Sequence, residues 1–143
     1  MKRYSTFIIS FLITILALTA LTSCSKDTSG AEINLTQQML SEKTWNLDYS
    51  ITGTIKNTYL GQSTYFISFF NNNSTKDSDG LEGTYTLKKI GNVLQIHVDA
   101  TTSSNNPVKY IYNIESIGSD NLILYYTING ATVPTKLYFS VNK

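Results

Sequence analysis

Lys43-Thr44-Trp45-Asn46-Leu47-Asp48-Tyr49-Ser50-Ile51-Thr52 alternates large apolar or aromatic residues with polar ones. Trp45, Leu47, Tyr49 and Ile51 fall on one face and Asn46, Asp48, Ser50 and Thr52 on the other, the period of a strand with one wet side. The same period recurs at Tyr65, Ile67 and Phe69; at Gly83, Tyr85 and Leu87; and at Leu94, Ile96 and Val98. It returns at Val108, Tyr110, Tyr112 and Ile114, at Leu122, Leu124, Tyr126 and Ile128, and at Leu137, Phe139 and Val141; residues 54–60 are a weaker candidate. Turn signals separate these runs: Asp77-Ser78-Asp79-Gly80, Gly91-Asn92, residues 103–107, residues 118–121, and Asn129-Gly130, which has the chemistry of a type I′ hairpin. Seven or eight strands spaced in this way predict an all-β domain, a small antiparallel up-and-down barrel, with a β-sandwich as the alternative.

Composition points the same way. From Cys24 onward, Thr, Ser, Asn and Tyr make up 50 of 120 residues, while Ala, the best helix former, occurs only 3 times. One short helix is predicted from Thr36 to Glu42, with Asn34 or Thr36 as N-cap and Leu35, Met39 and Leu40 as its apolar stripe.

The first residues carry an address. A basic tip, Met1-Lys2-Arg3, precedes an uncharged apolar and hydroxylic run of 15 residues from Phe7 to Leu21. A spanning helix needs roughly 20 apolar residues, so this run suits a secretory signal. Leu21-Thr22-Ser23-Cys24 resembles the bacterial lipobox, and the resemblance implies cleavage before Cys24 and lipidation of its thiol. The expected organisation is a signal peptide at 1–23, a flexible tether at 24–34 and a β domain at 35–143. Two or three acyl chains exceed what stable anchoring requires, so the membrane is the first expected partner. Ser25, where an inner-membrane retention signal would place Asp, implies sorting to the outer membrane. Lys26-Asp27 followed by Thr28 gives only part of a surface-export tag, so periplasmic and surface orientations both stay open.

Removing Lys2 and Arg3 leaves 9 basic and 10 acidic residues and no arginine. That balance supplies no basic field for nucleic acid. Cys24 is the only cysteine, so no intramolecular disulfide can form and the core alone must hold the fold.

The segments Leu40-Ser41-Glu42-Lys43-Thr44-Trp45-Asn46-Leu47, Phe69-Phe70-Asn71 with Asp79-Gly80, Gly83-Thr84-Tyr85-Thr86-Leu87 and Leu137-Tyr138-Phe139 together resemble the lipocalin-like lipoproteins common in Bacteroidetes. Their usual pattern opens with Leu-x-Gly-Lys-x-Trp, and Glu42 stands where they carry Gly. The resemblance covers about residues 36–143 and implies an eight-stranded barrel-like fold with no single activity.

Catalytic chemistry finds little purchase. His97, the only histidine, falls on the polar register with Gln95 and Asp99, and neither a second histidine nor a free thiol accompanies it to complete a zinc site. No nucleophile-elbow spacing appears. Asp77, Asp79 and Glu82 form an acidic group, but Thr75 and Thr86 stand where a calcium loop needs acids, so a solvated turn is expected. The sequons at Asn34, Asn72 and Asn73 are frequent by chance in so Asn-rich a chain. No enzyme activity, metal or cofactor is expected.

The aromatics hold the functional content. By period, Tyr49, Tyr65, Tyr85, Tyr110, Tyr112 and Tyr126 point the same way as Trp45 and Phe69, and a dry core would have to satisfy every phenol hydroxyl. An interior partly open to ligand or water, or tyrosines gathered at the rims, would resolve this. The expected ligand-binding residues are Trp45, Tyr85, Tyr110, Tyr112 and Tyr126, taking a small amphipathic or apolar molecule. The alternative is a structural or protein-interaction lipoprotein with a filled barrel, working through outward aromatics such as Phe66, Phe70, Tyr125 and Tyr138.

Overall fold

A computed structural model of the chain describes residues 28–59, 65–128 and 131–141. The expected signal peptide, Cys24 and the Asn129-Gly130 turn lie outside the described residues. One helix, α1 (Thr28–Leu40), precedes nine strands among the described residues: β1 (Lys43–Thr52), β2 (Ile55–Thr58), β3 (Phe66–Phe69), β4 (Ser74–Asp77), β5 (Glu82–Ile90), β6 (Val93–Thr101), β7 (Pro107–Ile117), β8 (Asn121–Tyr126) and β9 (Thr135–Ser140). All pairings are antiparallel, and β1-β3-β4-β5-β6-β7-β8-β9 closes on itself through β1–β9. This is the expected eight-stranded barrel, and the sandwich is set aside. β2 is an arm outside the ring: it pairs with Tyr49–Thr52 of β1, above the point where β3 leaves off at Asn46.

The helix differs from its expected span. It begins at Thr28, so residues 28–34 of the expected tether are helical, and Asn34 and Thr36 are interior positions rather than caps. Its inward stripe is Ile33, Thr36 and Leu40 at helical spacing, while Leu35 is exposed. The helix closes one end of the barrel. Gln37 donates to the Asn73 side chain in the β3–β4 connection, Lys89 at the end of β5 pairs with Glu32, and the Trp45 indole N–H donates to the Leu40 carbonyl at 2.9 Å. That last bond satisfies one of the carbonyls a helix C-terminus leaves without a partner. Glu42 then turns the chain with φ +59°, the left-handed conformation that glycine adopts most readily. Its N–H donates to the Phe69 carbonyl and its carboxylate accepts from the Asn71 N–H.

Above this base the core is built as the period predicts. Trp45, Leu47, Ile67, Phe69, Tyr85, Ile96, Val98, Leu122, Leu124 and Phe139 are buried, with Phe69 and Tyr85 edge to face at 5.0 Å. Gly83 opens β5 because a Cβ there would lie 2.3 Å from the Asp99 carbonyl oxygen. Gly91 carries the positive φ that a two-residue II′ turn needs between Ile90 and Val93.

Three local expectations are corrected. A bulge at Asp48 shifts the β1–β9 register between Leu47 and Tyr49, so Ser50 turns inward and Tyr49 turns outward, where it stacks on Tyr138 at 4.2 Å beneath the Lys56 ammonium. The polar segment Ser74–Asp77 is a strand, with Thr75 buried and its hydroxyl donating to the Ser68 carbonyl at 2.9 Å. Finally, β8 stops at Tyr126, paired with Thr135, so Ile128, expected on the inward face, lies beyond the strand and is exposed.

Candidate functional site

Strands alternate in direction, so the connections β4–β5, β6–β7 and β8–β9 meet at the end of the barrel opposite α1. They surround a cleft of about 390 Å³. Tyr110 and Tyr112 from β7, Tyr126 from β8 and Tyr65 before β3 supply its aromatic walls, Leu81 and Leu137 its apolar surface, and Asp77, Asp79 and Thr102 its polar groups. A larger concavity of about 750 Å³ lies on the outside of the β3–β4 hairpin and is lined mainly by polar residues, among them Asn71, Asn72, Lys76 and Glu82. It lacks the convergent aromatic and apolar lining that makes a small-molecule site.

The expected site residues divide between the two ends. Tyr110, Tyr112 and Tyr126 are brought together at the mouth. Trp45 and Tyr85 are not: both are fully buried near the base, and the Tyr85 hydroxyl is held by Ser41 Oγ and the Phe70 carbonyl, each at 3.1 Å. Tyr65, Asp77, Asp79, Leu81, Thr102 and Leu137 were not among them. Tyr65 and Leu137 were within reach of sequence reading through their inward register; the carboxylates were not.

The mouth tyrosines form a corner. Tyr110 and Tyr112 lie 5.9 Å apart and near parallel, at 25°, while Tyr126 stands at 86° to Tyr112, also at 5.9 Å. Burial, reinforced by Tyr112 and Asp77 close by, holds the Tyr65 phenol well above the usual tyrosine range. Burial, with Tyr110 and Tyr126 adding to it, raises Tyr112 in the same direction. Both phenols are neutral at physiological pH and present hydroxyls that donate or accept.

Asp77 is built into the rim: its Oδ1 accepts the N–H groups of Asp79 and Leu81, each at 2.9 Å, and fixes the turn through Gly80, whose φ is +82°. Among the described residues no group of three or more His, Cys, Asp or Glu side chains is placed to hold a metal ion. His97 sits on the outer face, its Nε2 2.9 Å from Gln95 Oε1, and partial burial together with Lys88 lowers its pKa.

The barrel wall is split beside the mouth. β7 pairs with β6 from Pro107 onward, but its ladder with β8 begins only at Asn113, opposite Tyr125. Residues 107–112 therefore have no β8 partner. A bulge at Glu115 shifts the β7–β8 register just below. A second cleft of about 400 Å³ follows the gap, lined by Lys109, Ile111, Thr127 and Ile128 and by the same Tyr110, Tyr112 and Tyr126 that line the mouth.

No known protein family, curated protein or solved structure matches the chain.

Proposed function

We propose that this chain is a lipid-anchored envelope lipoprotein of lipocalin-like type, a non-enzymatic binding module whose barrel mouth takes a small amphipathic or apolar molecule. The observation that carries the reading is the mouth cleft: about 390 Å³, walled by Tyr65, Tyr110, Tyr112 and Tyr126, in a barrel whose other end is plugged by Leu40 and Trp45. Eight-stranded barrels have room for one small ligand at this position. Outward aromatics give the interaction reading less support, because Tyr49, Tyr138 and Lys56 are stacked on one another and Lys76 lies over the Phe70 ring.

Two experiments test the proposal. The apolar dye 1-N-phenylnaphthylamine should bind the purified protein with simple saturation, and Tyr126→Trp should weaken binding by filling the cleft. If the upper barrel is packed instead, the dye will not bind and Tyr126→Trp will destabilise by about 1–3 kcal/mol. Membrane anchoring is tested separately: Cys24→Ala should abolish labelling by a palmitate analogue and release the chain from the membrane fraction, and persistent labelling ends the lipoprotein reading. No helix among the described residues is long and apolar enough to cross a membrane.

A further inference from the structure

Resting on the mouth-binding reading, we propose that the ligand is an organic cation with an apolar tail: an alkylammonium head seated in the tyrosine corner beside Asp77 and Asp79, its chain leaving through the β7–β8 split.

Charge comes first. Of the described residues lining the mouth, Asp77 and Asp79 are the charged ones, and no cationic side chain is among them. A carboxylate or phosphate head would meet like charge there, and the ammonium that lines the adjoining split, Lys109, is already paired with Asp99 at 2.6 Å, whereas a cation enters a field already set for it. The Asp77 carboxylate is fixed in place by its two amide donors, so it does not have to be ordered when the ligand arrives.

The rings give the second argument. Aromatic faces attract cations through the ring quadrupole, most strongly where water is partly excluded. Tyr112 and Tyr126, at 86° to each other, offer a cation two surfaces at once. Elsewhere on the molecule the chain fills such positions with its own lysines: Lys43 lies over Trp45, Lys56 over Tyr49 and Lys76 over Phe70. No such lysine contact is found at the mouth tyrosines among the described residues.

The split supplies the tail's path. It shares Tyr110, Tyr112 and Tyr126 with the mouth, and its flanks expose Ile111 (51 %) and Ile128 (61 %), two large apolar side chains left in water on either side of one gap. A linear alkyl chain running from the corner between them would cover both. A bare cation would leave them wet, so the tail is part of the proposal.

The test compares three probes of one chain length, decyltrimethylammonium, 1-decanol and decanoate, titrated calorimetrically into the purified full chain below their micellar concentrations. The cation should bind about ten-fold tighter than the alcohol, with decanoate weaker still. Asp79→Asn and Tyr110→Leu, both at exposed positions the fold tolerates, should each reduce that preference several-fold, and added salt should erode the part due to Asp79. Equal affinity for all three probes overturns the cation assignment while leaving an apolar binding site in place. Failure of all three to bind overturns the mouth-binding reading as well. A cation preference that survives both substitutions overturns the placement of the head group at this corner.

Discussion

Replacing Trp45 by alanine is the sharpest perturbation of the barrel's base. The indole is fully buried, packs within the cluster that includes Leu40 and Phe69, and donates its N–H to the Leu40 carbonyl at 2.9 Å. Two losses follow. Removing so large an aromatic leaves a cavity that the rigid ring of strands cannot collapse, a cost of about 3–5 kcal/mol. The helix-terminal carbonyl also loses its donor, for about 1–3 kcal/mol unless the new cavity admits water. Against a total of about 5–15 kcal/mol for a domain of this size, the variant should sit close to its unfolding threshold. Trp45→Phe separates the two effects, because it keeps most of the volume and removes only the donor, and it should cost less than half as much. Trp45 is the only tryptophan, so unfolding is followed in urea by far-ultraviolet circular dichroism, reading the midpoint at unchanged slope. A midpoint that hardly moves in Trp45→Ala, or an equal loss in Trp45→Phe, would refute the packing argument for the base.

Glu42→Gly should leave stability within about 0.5 kcal/mol of wild type, since relief of the left-handed backbone is offset by the entropy glycine adds to the unfolded chain and by loss of the bond from the Asn71 N–H; Glu42→Ala, which loses the same bond and keeps the strain, should be the less stable of the two, and urea midpoints decide both. Gly83→Ala should cost about 1–3 kcal/mol, because its Cβ would press on the backbone of Asp99 and Ala100 rather than on a side chain able to turn away. Stability should also fall in alkali. Unfolded tyrosines ionise near pH 10, whereas folded Tyr65 and Tyr112 hold their protons to higher pH, so above about pH 10 the unfolded chain binds fewer protons and loses a restraint on its formation, at up to about 1.4 kcal/mol per pH unit for each group. Urea midpoints between pH 8 and pH 11.5 should steepen downward in the wild type, and less so in Tyr65→Phe/Tyr112→Phe.

In β6 and β8 the regular strand period reported burial faithfully. Leu94, Ile96 and Val98 are buried as their alternation requires, and Leu122 and Leu124 likewise. The failures have local causes that alternation does not encode. Tyr49 turned outward because an extra residue, Asp48, enters the β1–β9 ladder, and a bulge depends on the partner strand as much as on its own sequence. β4 escaped notice because Ser-Thr-Lys-Asp has no apolar residue to alternate; Thr75 is buried through a hydrogen bond to Ser68, a form of satisfaction that a hydrophobicity pattern does not register. The helix ran longer than expected because Thr36, a good cap in isolation, is itself buried on the inward stripe between half-buried Ile33 and buried Leu40.

The candidate site was only half legible for a further reason: a period of two says which face a side chain takes, and says nothing of its height in the barrel. Trp45 and Tyr85 share the inward face with Tyr110, Tyr112 and Tyr126, yet the first pair closes the base and the other three ring the mouth. Height follows from counting strands, since each one reverses the chain's direction. With β4 uncounted, the turn Asp77-Ser78-Asp79-Gly80 would join β3 directly to β5 and fall at the helix end, among the side chains that plug the barrel. With β4 in place, the same turn moves to the opposite end and sets two carboxylates beside the tyrosine corner. One inconspicuous polar strand thus decides whether Asp77 and Asp79 are a solvated loop remote from the cleft or part of its lining.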